Sequence, residues 1–135
     1  MKFASKGFSL IELLVVLVIL GMIAGLVVPN IRGKSETAKA RTAVAEVQRL
    51  SMAVDEFYLD TGQTPRRLEE LVEEPGNVSN WNGPYVNNSN LNDPWGNPYQ
   101  YRFPGEHRDI DIFSYGSDNQ PGGEDVARDI GNWNI

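Results

Sequence analysis

The chain has no cysteine. That excludes disulfides, thiolate metal sites and cysteine nucleophiles. A single histidine, His107, leaves too little material for a His-based zinc centre or a Ser-His-Asp triad. Positive charge is scarce as well. The 12 Lys and Arg stand against 18 Asp and Glu, for a net charge of −6, and nothing suggests nucleic acid as a partner. Charge and proline are both missing over one long reach: between residues 8 and 28 the only charge is Glu12, and there is no proline.

That reach organises the chain. Residues 7–29 read G-F-S-L-I-E-L-L-V-V-L-V-I-L-G-M-I-A-G-L-V-V-P. Roughly 20 apolar residues, at a rise of ~1.5 Å each, cover the hydrocarbon core of a bilayer. Residues 8–29 therefore predict a membrane-spanning helix that ends at Pro29. An ionised carboxylate in such a setting costs on the order of 2.5–3.5 kcal/mol. No residue of the span offers Glu12 a cation; the nearest are Lys2, Lys6, or an α-amino group released by a cut between Gly7 and Phe8. A secretory signal peptide also fits the basic start, the apolar run and the small pair Ala24-Gly25. Against it stand the length of the run and the acid inside it. A plain N-terminal anchor with a tolerated glutamate is the third reading. The flanking cations, Lys2 and Lys6 before the span and Arg32 and Lys34 after it, balance and do not set its orientation.

The motif K-G-F-S-L-I-E-L-L resembles the processing site of type IV pilins and pseudopilins. The resemblance implies that a prepilin peptidase cuts after Gly7 and methylates the new amine on Phe8. It also implies that Glu12 serves assembly by pairing with the terminal amine of a neighbouring subunit, and that Pro29 matches a proline of the family's helix. Residues 1–7 are then a cytoplasmic leader, residues 8–29 the transmembrane and assembly helix, and residues 30–135 a periplasmic domain.

The residues after the span, about 105, suffice for one small domain with a modest core. An exported domain of this size without a disulfide can use a metal or oligomerisation as its staple. Asn30 to Gly33 is a short polar interruption, and a kink is expected near Pro29. From about 35 to 59 helical periodicity returns, with Ala40, Ala43, Val47, Leu50, Val54 and Phe57 on one face. Off that face, Glu46 and Arg49 are spaced for an i,i+3 pair. Gly62 suits the left-handed position after the helix. Thr64-Pro65 predicts the start of a short helix over about 65–73, with Leu68, Leu71 and Val72 inward and Glu69, Glu70, Glu73 and Glu74 in solvent. Residues 77–92 read as a loop pinned by Trp81, Tyr85, Val86 and Leu91. Asp93-Pro94-Trp95-Gly96-Asn97-Pro98 is dense in turn signals. Tyr99, Tyr101 and Phe103 alternate with polar residues, as do Ile110 and Ile112 with Asp109 and Asp111, which predicts an antiparallel hairpin with His107 exposed in its turn. A third short strand falls near the C-terminus or in the middle loop.

The tail, S-Y-G-S-D-N-Q-P-G-G-E-D-V-A-R-D-I-G-N-W-N-I, puts Asp118, Glu124, Asp125 and Asp129 within a dozen residues. It fits a mobile acidic loop. It also fits a site for calcium, which takes six to eight hard oxygens. It is not an EF-hand, because Gly122 stands where a side-chain ligand is needed and flanking helices are missing.

Together N-D-P-W-G-N-P-Y-Q-Y, D-I-F-S-Y-G-S-D and D-I-G-N-W resemble the family of major pseudopilins of type II secretion systems (general secretion pathway protein G). The resemblance implies a type IV pilin-like α+β fold: a long N-terminal helix packed on a small antiparallel sheet, closed over about 98–135 by a C-terminal calcium loop. It implies Asp118 and Asp125 as carboxylate ligands and Tyr115, Gln120 and Gly123 as carbonyl donors, with Glu124 as the alternative to Asp125. It further implies a non-enzymatic subunit of a periplasmic filament that drives folded exoproteins through an outer-membrane channel. The partners implied are further copies of itself, minor pseudopilins, an inner-membrane assembly platform, the prepilin peptidase and, before assembly, the inner membrane, which the chain crosses once. A surface pilin for adhesion or motility shares the N-terminus and stays open at this point. A membrane-anchored enzyme is a distant third, since no nucleophile–base pair is evident.

Overall fold

A computed structural model describes residues 4–135, apart from the side chains of residues 27–32. The chain divides into two compact units, Met1–Ser35 and Glu36–Ile135. The secondary structure is a long helix α1 (Leu10–Thr61), short 3₁₀ turns, and strands β1 (Gln100–Arg102), β2 (Asp111–Ser114) and β3 (Ile130–Gly131). The helical assignment runs through Asn30 to Gly33, where a polar interruption is predicted. The kink expected near Pro29 lies outside the described residues.

In the first unit, every large apolar side chain from residue 8 to residue 26 is exposed, from 47 % at Val18 to 85 % at Leu10. Among the described residues no helix is long and apolar enough to cross a membrane, the described part of the run ending at Leu26.

The second unit is built on the amphipathic half of α1. Ala43, Val47, Leu50, Val54 and Phe57 are all buried, as their spacing predicts, with Ala53 beside them and Ala40 half-buried. Leu68, Leu71, Val86, Tyr99 and Ile112 complete the core. The helix stops as expected: Gly62 takes φ 72° and its N–H donates to the Tyr58 carbonyl at 2.8 Å, which satisfies an end carbonyl in a geometry that glycine adopts without strain.

Three acids of α1 accept hydrogen bonds from aromatic residues of the following chain. Glu36 accepts from the Trp95 indole (2.7 Å), Glu46 from the Tyr99 hydroxyl (2.5 Å) and Asp60 from the Tyr85 hydroxyl (2.8 Å). Glu46 thus faces Tyr99 rather than making the predicted pair with Arg49. The middle loop is pinned where its aromatics stand: Trp81 donates to the Glu70 carbonyl (3.0 Å), and Tyr85 packs edge-on against both Phe57 and Trp81.

The predicted helix over 65–73 is only a 3₁₀ turn, Leu68–Leu71. The Pro65 carbonyl, which would have accepted from the Glu69 N–H in a helix, is taken by a side chain, and a second side chain holds the Arg66 N–H. The Glu70 carboxylate accepts from the Arg66 N–H (3.0 Å) and the Tyr101 hydroxyl donates to the Pro65 carbonyl (2.6 Å). Glu70 is accordingly buried, not in solvent.

The sheet order is β1-β2-β3, antiparallel throughout, with Tyr101 opposite Ile112 and Ser114 opposite Ile130. The third strand lies near the C-terminus, one of the two expected places. Strand β2 breaks the alternation the sequence suggests, for Asp111, Ile112, Phe113 and Ser114 are all buried. Asp111 is buried because it closes the hairpin turn. Its carboxylate accepts from the N–H groups of Glu106 (2.8 Å), His107 (3.1 Å) and Arg108 (3.0 Å) and bonds the His107 ring (3.1 Å). His107 is exposed in the turn, as expected, but its ring is held there: it also stacks on Trp133, with centroids 4.0 Å apart and planes within 4°. Phe103, expected inward, is 50 % exposed.

Candidate functional sites at the two ends of the chain

Two regions carry the residues that sequence reasoning singles out, one in each unit. At the N-terminus, Gly7 and Phe8 precede the first helical residue, Leu10, and lie outside regular structure. A Cβ added at Gly7 would meet nothing within 4 Å, and Phe8 is 82 % exposed. A bond between two exposed, non-helical residues is open to a protease. Glu12 is held locally. Its carboxylate accepts from the Ser9 N–H (2.8 Å) and the Ser9 hydroxyl (3.1 Å), while the Glu12 N–H approaches the Ser9 Oγ (3.3 Å). This is a capping box, in which Ser and Glu three residues apart satisfy the free donors of a helix start. The sequence carries its signature in S-L-I-E. The side chain of Pro29 lies outside what the structure describes.

At the C-terminus, residues 115–129 leave β2 at Ser114 and return to β3 at Ile130, and those two residues pair directly. Two 3₁₀ turns shape the loop, Gly116–Asp118 and Asp125–Ala127. Tyr115 caps the first, and Asn119 closes it in the left-handed region. Asp118 ends that first turn; its Oδ1 accepts from the Gln120 N–H (3.1 Å). Glu124 caps the second turn, and Asp125 opens it at φ 52°. The acid beyond the predicted ligand set, Asp129, is engaged in shaping the loop: both its oxygens accept from the Gly122 N–H, at 3.1 and 3.2 Å.

The two turns approach through glycine. Gly116 has φ +77°, and a Cβ there would stand 2.6 Å from the Arg128 carbonyl oxygen and 2.9 Å from that of Val126. Gly123 has φ +98°, with the Ala127 carbonyl oxygen 2.5 Å from such a Cβ. The carbonyls of Val126 and Arg128 thereby lie against Gly116, and that of Ala127 against Gly123; none of the three belongs to the predicted donor set. Among the described residues no group of three or more His, Asp and Glu side chains could hold a metal ion. The predicted set does not require one, since it has two carboxylates and otherwise carbonyls. All-oxygen donors of this kind suit a hard cation such as calcium, so the residues present fit that ion.

Two residues outside the predicted set anchor the loop. Asp93 and Ser114, 5 % and 1 % exposed, are joined by a hydrogen bond of 2.6 Å from the Ser114 hydroxyl. The Gly116 N–H in turn donates to the Ser114 Oγ at 3.0 Å. The signal in the sequence is the Asp that opens the Pro- and Gly-rich turn D-P-W-G-N-P, which by itself marks only a turn.

Comparisons with known proteins converge. The family described as "Type II secretion system (T2SS), protein G" matches residues 30–133, and the "Prokaryotic N-terminal methylation motif" matches residues 2–28. The "Type II secretion system core protein G" of Vibrio cholerae is 45 % identical over 135 residues, covering 96 % of this chain and 92 % of the relative. That of Xanthomonas campestris pv. campestris is 40 % identical over 124 residues, covering 92 % and 87 %. Among solved structures, the major pseudopilin from the type 2 secretion system of enterohaemorrhagic Escherichia coli matches with a TM-score of 0.63 at 33 % identity, covering 75 % of this chain and 87 % of that one.

Proposed function

The chain belongs to the protein G family of type II secretion systems, the major pseudopilins, and from that premise we propose how its residues carry out the role. The chain is a structural subunit and not a catalyst. A prepilin peptidase cuts between Gly7 and Phe8 and methylates the new amine of Phe8. The apolar helix then rests in the inner membrane with the second unit in the periplasm, until subunits leave the bilayer and stack into a filament. That filament, with minor pseudopilins and an inner-membrane assembly platform as partners, pushes folded exoproteins toward an outer-membrane channel.

The observation that carries this reading is the apolar face of the first unit, exposed on all sides along residues 8–26. Burying one such side chain contributes about 1.5–3 kcal/mol. A helix with this many cannot stand in water. In lipid it is already covered, so lipid by itself gives little reason to pair. Once the helix leaves lipid, neighbouring helices are the cover available. Glu12 supplies specificity in that bundle: on assembly its carboxylate passes from Ser9 to the amine of a neighbouring Phe8.

We further propose calcium as the staple of the cysteine-free second unit. Asp118 and Asp125 would supply carboxylates, and Tyr115, Gln120 and Gly123 carbonyls, with Glu124 able to replace Asp125. The bound cation would neutralise the acids of the loop and hold its two turns together.

Assembly is tested by Glu12→Ala in cells whose own major pseudopilin gene is replaced. The purified variant should unfold at the wild-type midpoint, while filaments and exoprotein secretion fall to background. Normal filament yield and secretion would refute the role given to Glu12. The staple is tested by melting the full chain in detergent with calcium and then with excess chelator. A ligand present at 100 times its dissociation constant adds about 2.7 kcal/mol, which raises the midpoint by roughly 10 °C or more in a unit of this size. An unchanged midpoint would refute calcium binding.

A further inference from the structure

The two carboxylates of the C-terminal loop that could hold calcium, Asp118 and Asp125, sit on two separate turns, Gly116–Asp118 and Asp125–Ala127, with Tyr115 and Glu124 capping those turns and Gln120 and Gly123 between them. Neither turn belongs to the sheet. A loop of this kind binds a cation well only when something outside it fixes the turns before the cation arrives. Otherwise the backbone must be ordered at the moment of binding, and that loss of conformational entropy weakens affinity.

The structure contains such a device, and it begins far from the loop. At residues 92–98 the chain makes a tight turn, closed by a bridge between Asn92 and Pro98. Asp93 is its hub. The Asp93 N–H donates to the Asn97 carbonyl (2.7 Å), and Asp93 Oδ1 accepts from the N–H groups of Trp95 (3.1 Å) and Asn97 (2.9 Å). The turn is tied to α1 by the Trp95 indole, which donates to Glu36 at 2.7 Å. The other carboxylate oxygen, Oδ2, is left for Ser114, whose hydroxyl donates to it at 2.6 Å. Having given its hydrogen to Asp93, the Ser114 oxygen presents lone pairs, and the Gly116 N–H donates to it at 3.0 Å. Gly116 is the residue whose missing Cβ lets the first turn lie against the carbonyls of residues 126–128.

The direction of these bonds matters. The Asp93 carboxylate only accepts, so the Ser114 hydroxyl must donate to it. Ser114 is therefore oriented as an acceptor for Gly116. The link from Asp93 through Ser114 to Gly116 is buried at all three residues. Buried hydrogen-bond networks with every member satisfied rigidify what they touch, and among the described residues no buried side-chain polar atom lacks a partner.

We propose that Asp93 and Ser114 are positioning residues for the cation loop: through the Gly116 N–H they hold the Tyr115–Gly116–Asp118 turn against residues 126–128 before calcium binds. The inference rests on the calcium reading above. Neither residue touches the cation; they act by setting where the Tyr115 carbonyl and the Asp118 carboxylate stand. Partners that orient ligands in this way are worth 10–100-fold in metal affinity.

The experiment titrates Ca²⁺ into the full chain, in detergent and stripped with chelator, by calorimetry, with thermal melts of the same samples without calcium. Ser114→Ala and Asp93→Asn remove the link from either end. Asp93→Asn keeps an oxygen for Trp95 and Asn97 but turns an amide N–H₂ toward Ser114. Ser51→Ala, which loses a bond within α1 to the Val47 carbonyl, is the control. Both link variants should bind calcium at least tenfold more weakly, while the control keeps the wild-type Kd. Ser114→Thr, which restores the hydroxyl, should recover affinity. A role confined to stability would lower the calcium-free midpoint and leave Kd unchanged, and that result overturns the proposal. If the wild type itself takes up no calcium, the calcium reading fails and the positioning role falls with it. Should both link variants fail to fold, hydrogen exchange in the wild type decides. A Gly116 N–H protected equally with and without calcium supports the proposal, and one that exchanges freely until calcium is added overturns it.

Discussion

The Tyr99 hydroxyl donates to the Glu46 carboxylate at 2.5 Å, joining a ring that is 5 % exposed to the middle of α1. Burial first, and the Glu46 carboxylate after it, push the Tyr99 hydroxyl pKa well above its ordinary value, so it remains a donor wherever the chain is folded. Hydrogen bonds to charged groups contribute about 1.5–3 kcal/mol. Glu46 is only half-buried and can be rehydrated, which favours the lower end. Tyr99→Phe should therefore lose about 1.5 kcal/mol in urea denaturation, with the midpoint concentration shifted and the slope unchanged. A loss below ~0.5 kcal/mol would mean that the ring's packing, and not its hydroxyl, ties strand to helix.

Asp111 makes the unit's acid sensitivity specific. Burial pushes its carboxyl pKa up, but the His107 ring and the N–H groups of Glu106, His107 and Arg108 outweigh burial and leave the pKa below the ordinary 3.8. A folded-state pKa below the unfolded one means stability that is fully present above the unfolded value and disappears as pH falls through the folded one. Both oxygens accept backbone bonds, so in Asp111→Asn an amide N–H₂ must face a donor. That variant should be destabilised by about 1–3 kcal/mol at neutral pH. Denaturation between pH 7 and pH 2 should show the gap to wild type constant down to about pH 4 and narrowing below it. A gap that narrows between pH 7 and 5 would point to a different group.

Three consecutive residues of α1 separate core from surface. Phe57 is fully buried, whereas Tyr58 is 53 % and Leu59 81 % exposed. Phe57→Ala should lose about 3–5 kcal/mol, since it removes a buried ring and leaves a cavity against Tyr85. Tyr58→Ala and Leu59→Ala should stay within about 0.5 kcal/mol. Equal losses at all three positions would mean that the helix buries a different face.

The contrast among these residues also marks what was legible beforehand. Helical periodicity is a property of the sequence, so Ala43, Val47, Leu50, Val54 and Phe57 could be placed on one face, and Gly62 at its end, without coordinates. The G-F-S-L-I-E motif and the three C-terminal motifs were equally open to reading, and so was family membership. What could not be read were polar side chains whose partners are set by how a turn folds back or by which segments come together. Nothing in the alternation of residues 109–112 distinguishes a solvated Asp109 from a buried Asp111, because the difference lies in a turn that folds back over the carboxylate. Glu70 looked like its three solvated neighbours until Arg66 and Trp81 met it. Asp93 and Ser114 lie 21 residues apart in sequence, and only the return of β2 beside the 92–98 turn brings them together.

Two glycines of similar φ offer a final comparison. Gly62 at +72° and Gly116 at +77° both occupy the left-handed region, but a Cβ at Gly62 would meet nothing within 4 Å, whereas one at Gly116 would stand 2.6 Å from the Arg128 carbonyl oxygen. The backbone strain of an L-residue there is the same in both cases, about 1–2 kcal/mol. Gly62→Ala should lose that amount and nothing else, leaving the C-terminal loop as it was. Gly116→Ala adds an overlap with main chain that no rotamer can relieve, and overpacking of this kind costs a further ~1–3 kcal/mol. The loop can avoid the overlap only by moving residues 126–128 away, which would separate Asp125 from Asp118. Gly116→Ala should therefore melt well below Gly62→Ala, and it alone should expose residues 115–129 to limited proteolysis. Equal melting of the two variants, with the loop intact in both, would show that the two turns do not depend on this close approach.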